Sequence, residues 1–294
     1  MAERSDARPG RGVRALRAAP VVVAVVLAGC RSFPPPPDRS DLDAGAARAF
    51  VREQAHAVKD LAAQVSLSVE TADFSGSLDG ALLIEPPDRM RLRTTKMLSD
   101  VFDLVVTPER LELWWFPDRV LYRRTPAAGA PSVPEVASGG KSGDARASTF
   151  LRALDPGTFR ASLTAFELPP VDATPRSPWQ ERVAAERIER TRRALVVADD
   201  LESGGRLVRT FDGASLLLRS AEVVDAAGRS QIVATYDEYR PVGTLWLPTE
   251  TKLVDHRFGV TFSMEFSDVA LNEGVLPGAF ELALPADATV REIR

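Results

Sequence analysis

The chain has 294 residues, a net charge of −4 and a single cysteine, Cys30. One thiol forms no internal disulfide, so the fold depends on its hydrophobic core. The acidic balance excludes the large basic surface with which proteins bind nucleic acid. Its two histidines, His56 and His256, have no companions at ligand spacing, and no catalytic motif is present. We therefore predict a protein that is not an enzyme and has no metal site and no cofactor.

The N-terminus has the pattern of a secretory signal peptide. Five arginines against two acidic residues occupy the first 17 positions, and an apolar run follows from Ala18 to Gly29. As a helix this run would rise only about 18 Å, which is too little to cross about 30 Å of bilayer hydrocarbon. We predict that residues 1–29 are removed, which leaves 265 residues with a net charge of −7.

The segment Leu27-Ala28-Gly29-Cys30 resembles the bacterial lipobox. In lipoproteins with this motif the cysteine sulfur receives a diacylglycerol, and cleavage leaves the cysteine as the first residue. The resemblance implies a covalent diacylglycerol and an N-acyl group, such as palmitate, at Cys30, and two such signals attach a protein durably to a membrane. The alternative is an unmodified cysteine beside an ordinary cleavage site. Arg31 stands where an Asp would imply retention in the inner membrane, so the resemblance implies the outer membrane, with the domain facing the periplasm.

A tether and then a helix are predicted after the cysteine. Residues 30–40 contain four consecutive prolines, which favour an extended spacer between membrane and domain. From Asp41, a plausible N-cap, apolar residues recur at helical spacing and predict an amphipathic helix of about six turns. Its apolar face needs a sheet to cover. The apolar residues of this helix are Ala47, Phe50, Val51, Val58, Leu61 and Ala62.

Strands dominate the rest of the single domain predicted for residues 41–294. Segments such as 64–71, 89–94 and 260–266 alternate apolar and polar residues with period two, which predicts half-buried antiparallel strands. We predict about 10–11 strands, too many for one flat sheet. Residues 125–147 are rich in Ala, Gly, Ser and Pro and predict a mobile loop, followed by a short helix at Ser148–Leu154. For residues 175–193, a helix and a strand are equally compatible with the sequence.

Five segments of strand and turn residues cover most of the chain from about Gln64. They are Phe74–Arg93, Asp103–Arg123, Tyr236–Leu253, Phe266–Leu282 and Leu284–Ile293. They resemble the periplasmic lipoprotein-carrier superfamily of the outer-membrane lipoprotein localisation system, and especially its lipid-anchored acceptor and uncharacterised lipoprotein members. The resemblance implies a mainly β (α+β) fold: an unclosed antiparallel β half-barrel, lidded by helices, whose apolar concave face binds acyl chains. It also implies a periplasmic carrier or another envelope protein as a partner.

Two groups of apolar residues are candidates for contact with lipid. Methionine and aromatic side chains on alternating strands suit a ligand of variable shape, because they repack easily. The alternative is that they only pack beneath the helix at Phe50 and Val58. The resemblance implies that Met97 and Leu98 form a loop that enters the membrane; the alternative is that they begin the next strand. The cavity candidates are Met90, Leu92, Leu113, Trp115, Phe262, Met264 and Phe266.

Two functions follow as expectations. The first is a lipid-anchored protein that binds acyl chains of lipoproteins or other hydrophobic ligands, in lipoprotein or lipid transfer to the outer membrane. The second is a structural or interaction lipoprotein with a filled core and no ligand, which binds another envelope protein. Cavity volume separates the two. Trp114 and Phe116 face the side opposite Leu113 and Trp115, so both faces of this strand are expected to be covered.

Overall fold

The computed structural model describes residues 33–72, 75–125 and 182–292. Of these, the residues from Pro35 onward form one compact unit. The predicted signal peptide, Cys30, nearly all of the predicted loop at 125–147 and the short helix predicted at Ser148–Leu154 lie outside the described residues.

Within these residues one helix precedes fourteen strands. The helix is α1 (Ala44–Ala57). The strands are β1 (Leu61–Glu70), β2 (Ser75–Glu85), β3 (Arg89–Lys96), β4 (Ser99–Val106), β5 (Leu111–Trp115), β6 (Val120–Arg124), β7 (Val183–Arg190), β8 (Ala194–Leu201), β9 (Arg206–Asp212), β10 (Leu218–Val224), β11 (Ser230–Val242), β12 (Leu245–Asp255), β13 (Val260–Leu271) and β14 (Thr289–Glu292).

All fourteen strands belong to one sheet, in the order β14-β6-β5-β4-β3-β2-β1-β13-β12-β11-β10-β9-β8-β7. Most neighbours are consecutive in the chain and antiparallel, but β1 pairs with the distant β13, and β14 is parallel to β6. The edge strands β14 and β7 are not paired with each other among the described residues, so the sheet is unclosed, as a half-barrel requires. The predicted number of 10–11 strands was too low, because strands such as β7 and β14 are mostly exposed and lack clean alternation.

The predicted six-turn helix was too long. α1 has 14 residues, and its N-cap is Asp43 instead of Asp41: Oδ1 of Asp43 accepts a hydrogen bond from the Ala46 amide at 2.8 Å. Leu61 and Ala62 belong to β1, where a period-two burial pattern replaces the helical one. The part of the chain that the structure describes contains only this helix, so it does not show a lid of several helices. Val183–Arg190, within the ambiguous region, form β7.

The core lies on one face of the sheet, which we call the inner face. It carries a single cluster of buried apolar side chains from β1 to β6 and from β8 to β13, together with Ala47 and Val51 of α1. A β-strand places alternate residues on one face, so these strands need only every second residue to be apolar. The opposite, outer face is also covered near β5, since Trp114 is only 4% exposed there. This agrees with the expectation that both faces of β5 are covered.

The segment that precedes β14 packs against the outer face of this region. Phe280 is 8% exposed, and the guanidinium of Arg89 lies 5.9 Å from the centre of its ring. Nη1 of Arg91 donates a hydrogen bond to the carbonyl of Ala279 at 2.8 Å. β14 then pairs with β6 and ends the sheet. The C-terminal segment therefore joins one edge of the sheet to its outer face.

Candidate functional site

The predicted acyl-chain residues all lie on the inner face, in β3, β5 and β13. All seven belong to the core cluster or pack against it. Six are no more than 9% exposed, and the seventh, Trp115, is half-buried and stacked on Phe102 with ring centres 6.3 Å apart. The fold therefore brings these side chains into one continuous apolar layer. The buried members are Met90, Leu92, Leu113, Phe262, Met264 and Phe266.

A small cleft lies between α1 and the strands β9 to β12. Its cavity volume is about 90 Å³, and Phe50, Phe211, Tyr239 and Trp246 are among its lining residues. None of the seven predicted residues lines it. Pockets for small organic ligands usually measure about 300–1,000 Å³. The cleft marks a point where α1 and the sheet are incompletely packed, but a whole acyl chain does not fit there without movement of α1.

The end of the predicted tether lies against the domain beside this cleft. Pro36 and Pro37 line the cleft. The Arg39 amide donates a hydrogen bond to the carbonyl of Ala214 at 2.7 Å, and the Arg39 guanidinium lies 3.9 Å from the centre of the Phe50 ring. The chain is therefore fixed to the sheet and to α1 from about Pro36 onward.

Met97 and Leu98 form the two-residue turn between β3 and β4, whose end residues Lys96 and Ser99 are paired. Their side chains are 90% and 102% exposed. Both residues have positive φ, 48° and 67°, the backbone of a type I′ turn, where Asn and Gly are usual. They do not begin the next strand. Two large apolar side chains thus project into solvent from a turn that disfavours them.

The sequence analysis missed a group of charged residues at the β7 end of the sheet. We call it the buried ionic cluster: Arg48 and Arg52 of α1, Glu186 of β7, Asp199 of β8 and Arg209 of β9. Nε of Arg48 donates to Oε2 of Glu186 at 2.8 Å, and Nη2 contacts the same oxygen. Nη2 of Arg52 lies 3.3 Å from Oε1 of Glu186. Nη2 of Arg209 contacts Oδ2 of Asp199, and both of these side chains are only 2% exposed.

Burial and charge act in opposition in this cluster. Burial raises the pKa of Asp199, although the charge of Arg209 opposes the change. Burial also lowers the pKa of Arg209 to about 10, which leaves it protonated at neutral pH. For Glu186, burial raises the pKa, but the guanidinium groups of Arg48 and Arg52 outweigh it, so the pKa lies below its usual value. Three cations and two anions therefore meet in one group, in which Arg52 is 36% exposed and the other four side chains are buried or nearly so.

One local signal of this cluster is present in the sequence. Asp199 continues the period-two series of Leu195 and Val197 in β8, so it occupies a position on the inner face where an apolar residue is expected. A charged residue in such a position is rarely buried without a partner. Its partners come from α1, β7 and β9, and no spacing in the sequence connects them.

No model of a protein family matches the sequence. No curated protein matches it either. Among the described residues, no helix combines the length and apolar character needed to cross a bilayer.

Solved structures of similar fold exist at low sequence identity. A DUF1329 family protein from Desulfovibrio piger matches with a TM-score of 0.53 and 11% identity, over 81% of this chain and 97% of that protein. A domain from Vibrio parahaemolyticus, named for a proposed role in outer membrane lipoprotein sorting, matches with a TM-score of 0.51 and 13% identity, over 80% of this chain and 94% of that domain. A LolA superfamily protein from Nitrosomonas europaea matches less well, with a TM-score of 0.43 and 14% identity, over 78% of this chain and 94% of that protein. The first two matches show that this chain shares the fold of these two proteins, one of which is named for lipoprotein sorting, in agreement with the half-barrel that the sequence resemblance implied.

Proposed function

We propose that this protein is a lipid-anchored envelope protein whose inner face binds the acyl chains of lipoproteins or other hydrophobic ligands. The observation that carries the proposal is the continuous apolar layer of the inner face, in which methionine and aromatic side chains from three predicted strands lie together. Such side chains adapt to ligands of different shape. The similar fold of a domain named for lipoprotein sorting supports the proposal.

Binding requires that α1 and the sheet separate. The cleft beside Phe50 is the natural starting point, because packing between helix and sheet is incomplete there. Each methylene that leaves water contributes about 0.8 kcal/mol, so a chain of sixteen carbons contributes on the order of 10 kcal/mol. Part of this offsets the cost of separating Val51 and its neighbours from the sheet. The protein would therefore alternate between a packed empty form and an opened, loaded form.

The anchor and the exposed turn would place this binding face at a membrane. Acyl groups on Cys30 would hold the protein at the outer membrane, with the domain on the periplasmic side. Met97 and Leu98 would enter the lipid surface, which explains why two apolar side chains stay fully exposed at a turn. A periplasmic carrier or another envelope protein would then deliver the ligand. In this arrangement the protein receives a hydrophobic cargo and releases it into the membrane.

A probe-uptake experiment tests the proposal. The compact unit begins at Pro35, so a mature chain of residues 30–294 with Cys30→Ser retains it whole and lacks the acyl groups. We expect saturable uptake of N-phenyl-1-naphthylamine, a neutral probe that fluoresces in apolar surroundings. Met264→Glu places a charge in the apolar layer and should lower the affinity at least about tenfold. The matched control is Ser267→Glu, an exposed position on the same strand, which should leave the affinity unchanged. A folded wild-type chain without saturable uptake would disprove the proposal.

An interaction lipoprotein with a filled core is the second candidate. It is favoured by the small cleft of about 90 Å³ and by the tight packing of six of the seven predicted cavity residues. In that case the exposed side chains of Met97, Leu98 and Leu276 would contact another envelope protein. This function predicts no uptake of the neutral probe and no effect of Met264→Glu beyond a loss of stability.

A further inference from the structure

We infer that the hydrophobic ligand carries an oxyanion at one end and that Arg209 and Arg48 of the buried ionic cluster bind it. This inference rests on the proposed lipid-binding function and specifies its ligand class: a long acyl chain with a carboxylate or phosphate head. The proposed function itself requires only an apolar ligand.

The first observation is that two buried guanidinium groups have free hydrogen-bond donors. Nε and Nη1 of Arg209 and Nη1 of Arg48 are buried and have no hydrogen-bond partner. The side chains of both residues are only 2–3% exposed. The two groups are also close enough for the charge of Arg48 to lower the pKa of Arg209 further. Buried donors almost always have partners, so these three atoms identify the place of a missing acceptor.

The second observation is the charge of the cluster. Glu186 is shared by Arg48 and Arg52, and Asp199 is bound to Arg209, so three cations face two anions. Arg52 is 36% exposed, so water screens part of this excess charge, but the cluster as a whole still has one more cation than anions. One singly charged oxyanion would make the cluster neutral. Guanidinium groups match the planar oxygens of carboxylate and the oxygens of phosphate better than other cations do.

The third observation is the neighbourhood of Arg209 on the inner face. In the strand register Arg209 lies opposite Ala221 of β10, which lies opposite Ala234 of β11. The two nearest positions on this row therefore carry small side chains. The same row continues through Leu253 of β12 to Phe262 of β13, one of the predicted acyl-chain residues. Four strand spacings cover about 19 Å, a distance that a long acyl chain spans.

A polar atom on the neighbouring row supports the same path. Oγ1 of Thr251 is buried without a hydrogen-bond partner, and Thr251 lies between Tyr236 and Met264 in the register. The inner face therefore passes from a charged end at Arg209 to an apolar end at Phe262 and Met264. This polarity matches an anionic amphiphile better than a neutral lipid.

Three ligands with the same sixteen-carbon chain test the inference: palmitate, hexadecyl phosphate and hexadecanol. Each is used to displace N-phenyl-1-naphthylamine from the mature Cys30→Ser chain. We expect at least one anion to bind about tenfold or more tightly than hexadecanol, as charge-assisted hydrogen bonds provide. The anion that binds more tightly identifies the kind of natural ligand: a fatty acid if it is palmitate, or a phospholipid headgroup if it is hexadecyl phosphate. Equal displacement by all three overturns the inference and leaves the proposed function intact. Displacement by none overturns both.

A double variant tests whether the cluster is responsible. Asp199→Asn with Arg209→Gln removes both charges and the free guanidinium while keeping polar side chains at both positions, and it should reduce the preference for the anion to less than about twofold. The matched control is Arg187→Gln with Asp200→Asn, an exposed ion pair on the neighbouring positions of β7 and β8. This control should keep the full preference.

If the double variant does not fold, a more conservative single variant tests the same role of the cluster. Arg209→Lys keeps a cation next to Asp199 but loses the free guanidinium donors, so the preference for the anion should fall severalfold. An unchanged preference in a folded Arg209→Lys or Asp199→Asn/Arg209→Gln protein overturns the inference.

Discussion

Glu186 is the residue through which α1 is ion-paired with the edge strand β7. Its carboxylate is 10% exposed and accepts a hydrogen bond from Arg48, while Arg52 lies on its other oxygen. Burial raises its pKa, and the two guanidinium groups lower it by more, so its pKa is below 4.5 in the folded protein. The ionised carboxylate therefore stabilises the fold above its unfolded pKa. That contribution is lost as pH falls through the folded pKa.

Glu186→Gln should lower the free energy of unfolding by about 3 kcal/mol at pH 7, because it leaves Arg48 buried without a counter-charge. The difference from wild type should shrink as pH falls below 4.5, since protonation then removes the charge from the wild-type residue as well. Urea unfolding at pH 7 and pH 3 measures both values. Glu189→Gln, at an exposed position of the same strand, should change stability by less than about 0.5 kcal/mol at either pH. An equal loss at both pH values for Glu186→Gln would contradict this account.

The hairpin of β3 and β4 shows a conflict between local backbone preference and side-chain type. Its turn requires positive φ at two successive residues. Met97 and Leu98 adopt this conformation although their side chains are almost fully exposed. Large side chains in this conformation cost about 1–3 kcal/mol each. A role outside the folded core, such as contact with a membrane, would account for keeping them.

Met97→Asn combined with Leu98→Gly should raise the free energy of unfolding by about 1–2 kcal/mol, because these residues adopt a type I′ turn readily. The same change should weaken association of the mature Cys30→Ser chain with vesicles of phosphatidylglycerol and phosphatidylethanolamine, measured by co-sedimentation. Leu276→Asn removes another exposed apolar side chain elsewhere and serves as the control. Greater stability with unchanged vesicle binding would refute the membrane role of the turn.

At the scale of elements, the sequence predicted best where one face of a strand is apolar and the other polar. Strands β1, β3 and β13 alternate in this way, and their inward residues are buried as predicted. β7 could not be distinguished from a helix, because its charged residues lie on both faces and most are exposed. The ionic cluster was beyond prediction for another reason: its members are up to about 160 residues apart, and only the packing of α1 on the sheet places Arg48 beside Glu186.

In the whole molecule, the C-terminal segment covers apolar surface that the inner core does not reach. Val105, Trp114 and Leu121 are buried on the outer face of β4, β5 and β6, and Phe280 is buried against the same side of the sheet. The cation–π contact between Arg89 and Phe280 and the hydrogen bond from Arg91 to the carbonyl of Ala279 hold the segment in position.

Phe280→Ala should therefore lower the free energy of unfolding by about 3 kcal/mol, from lost burial and the cavity left behind. Thermal or urea unfolding measures the loss. Leu276→Ala, four residues earlier but 79% exposed, should have an effect below about 0.5 kcal/mol. A small effect of Phe280→Ala would mean that the segment is held by the β14–β6 pairing alone.

The pairing of β1 with β13 determines when this protein can fold. β1 pairs with β2 on one side, but on the other side Leu61 lies opposite Leu271, so this edge of the strand has no partner until a segment more than 200 residues later is synthesised. Hairpins such as β3–β4 form early, but contacts this distant in sequence form slowly and late. A growing chain therefore stays incomplete until nearly its last residues have left the ribosome. Such late assembly would leave the chain unfolded for the export that its predicted signal peptide implies.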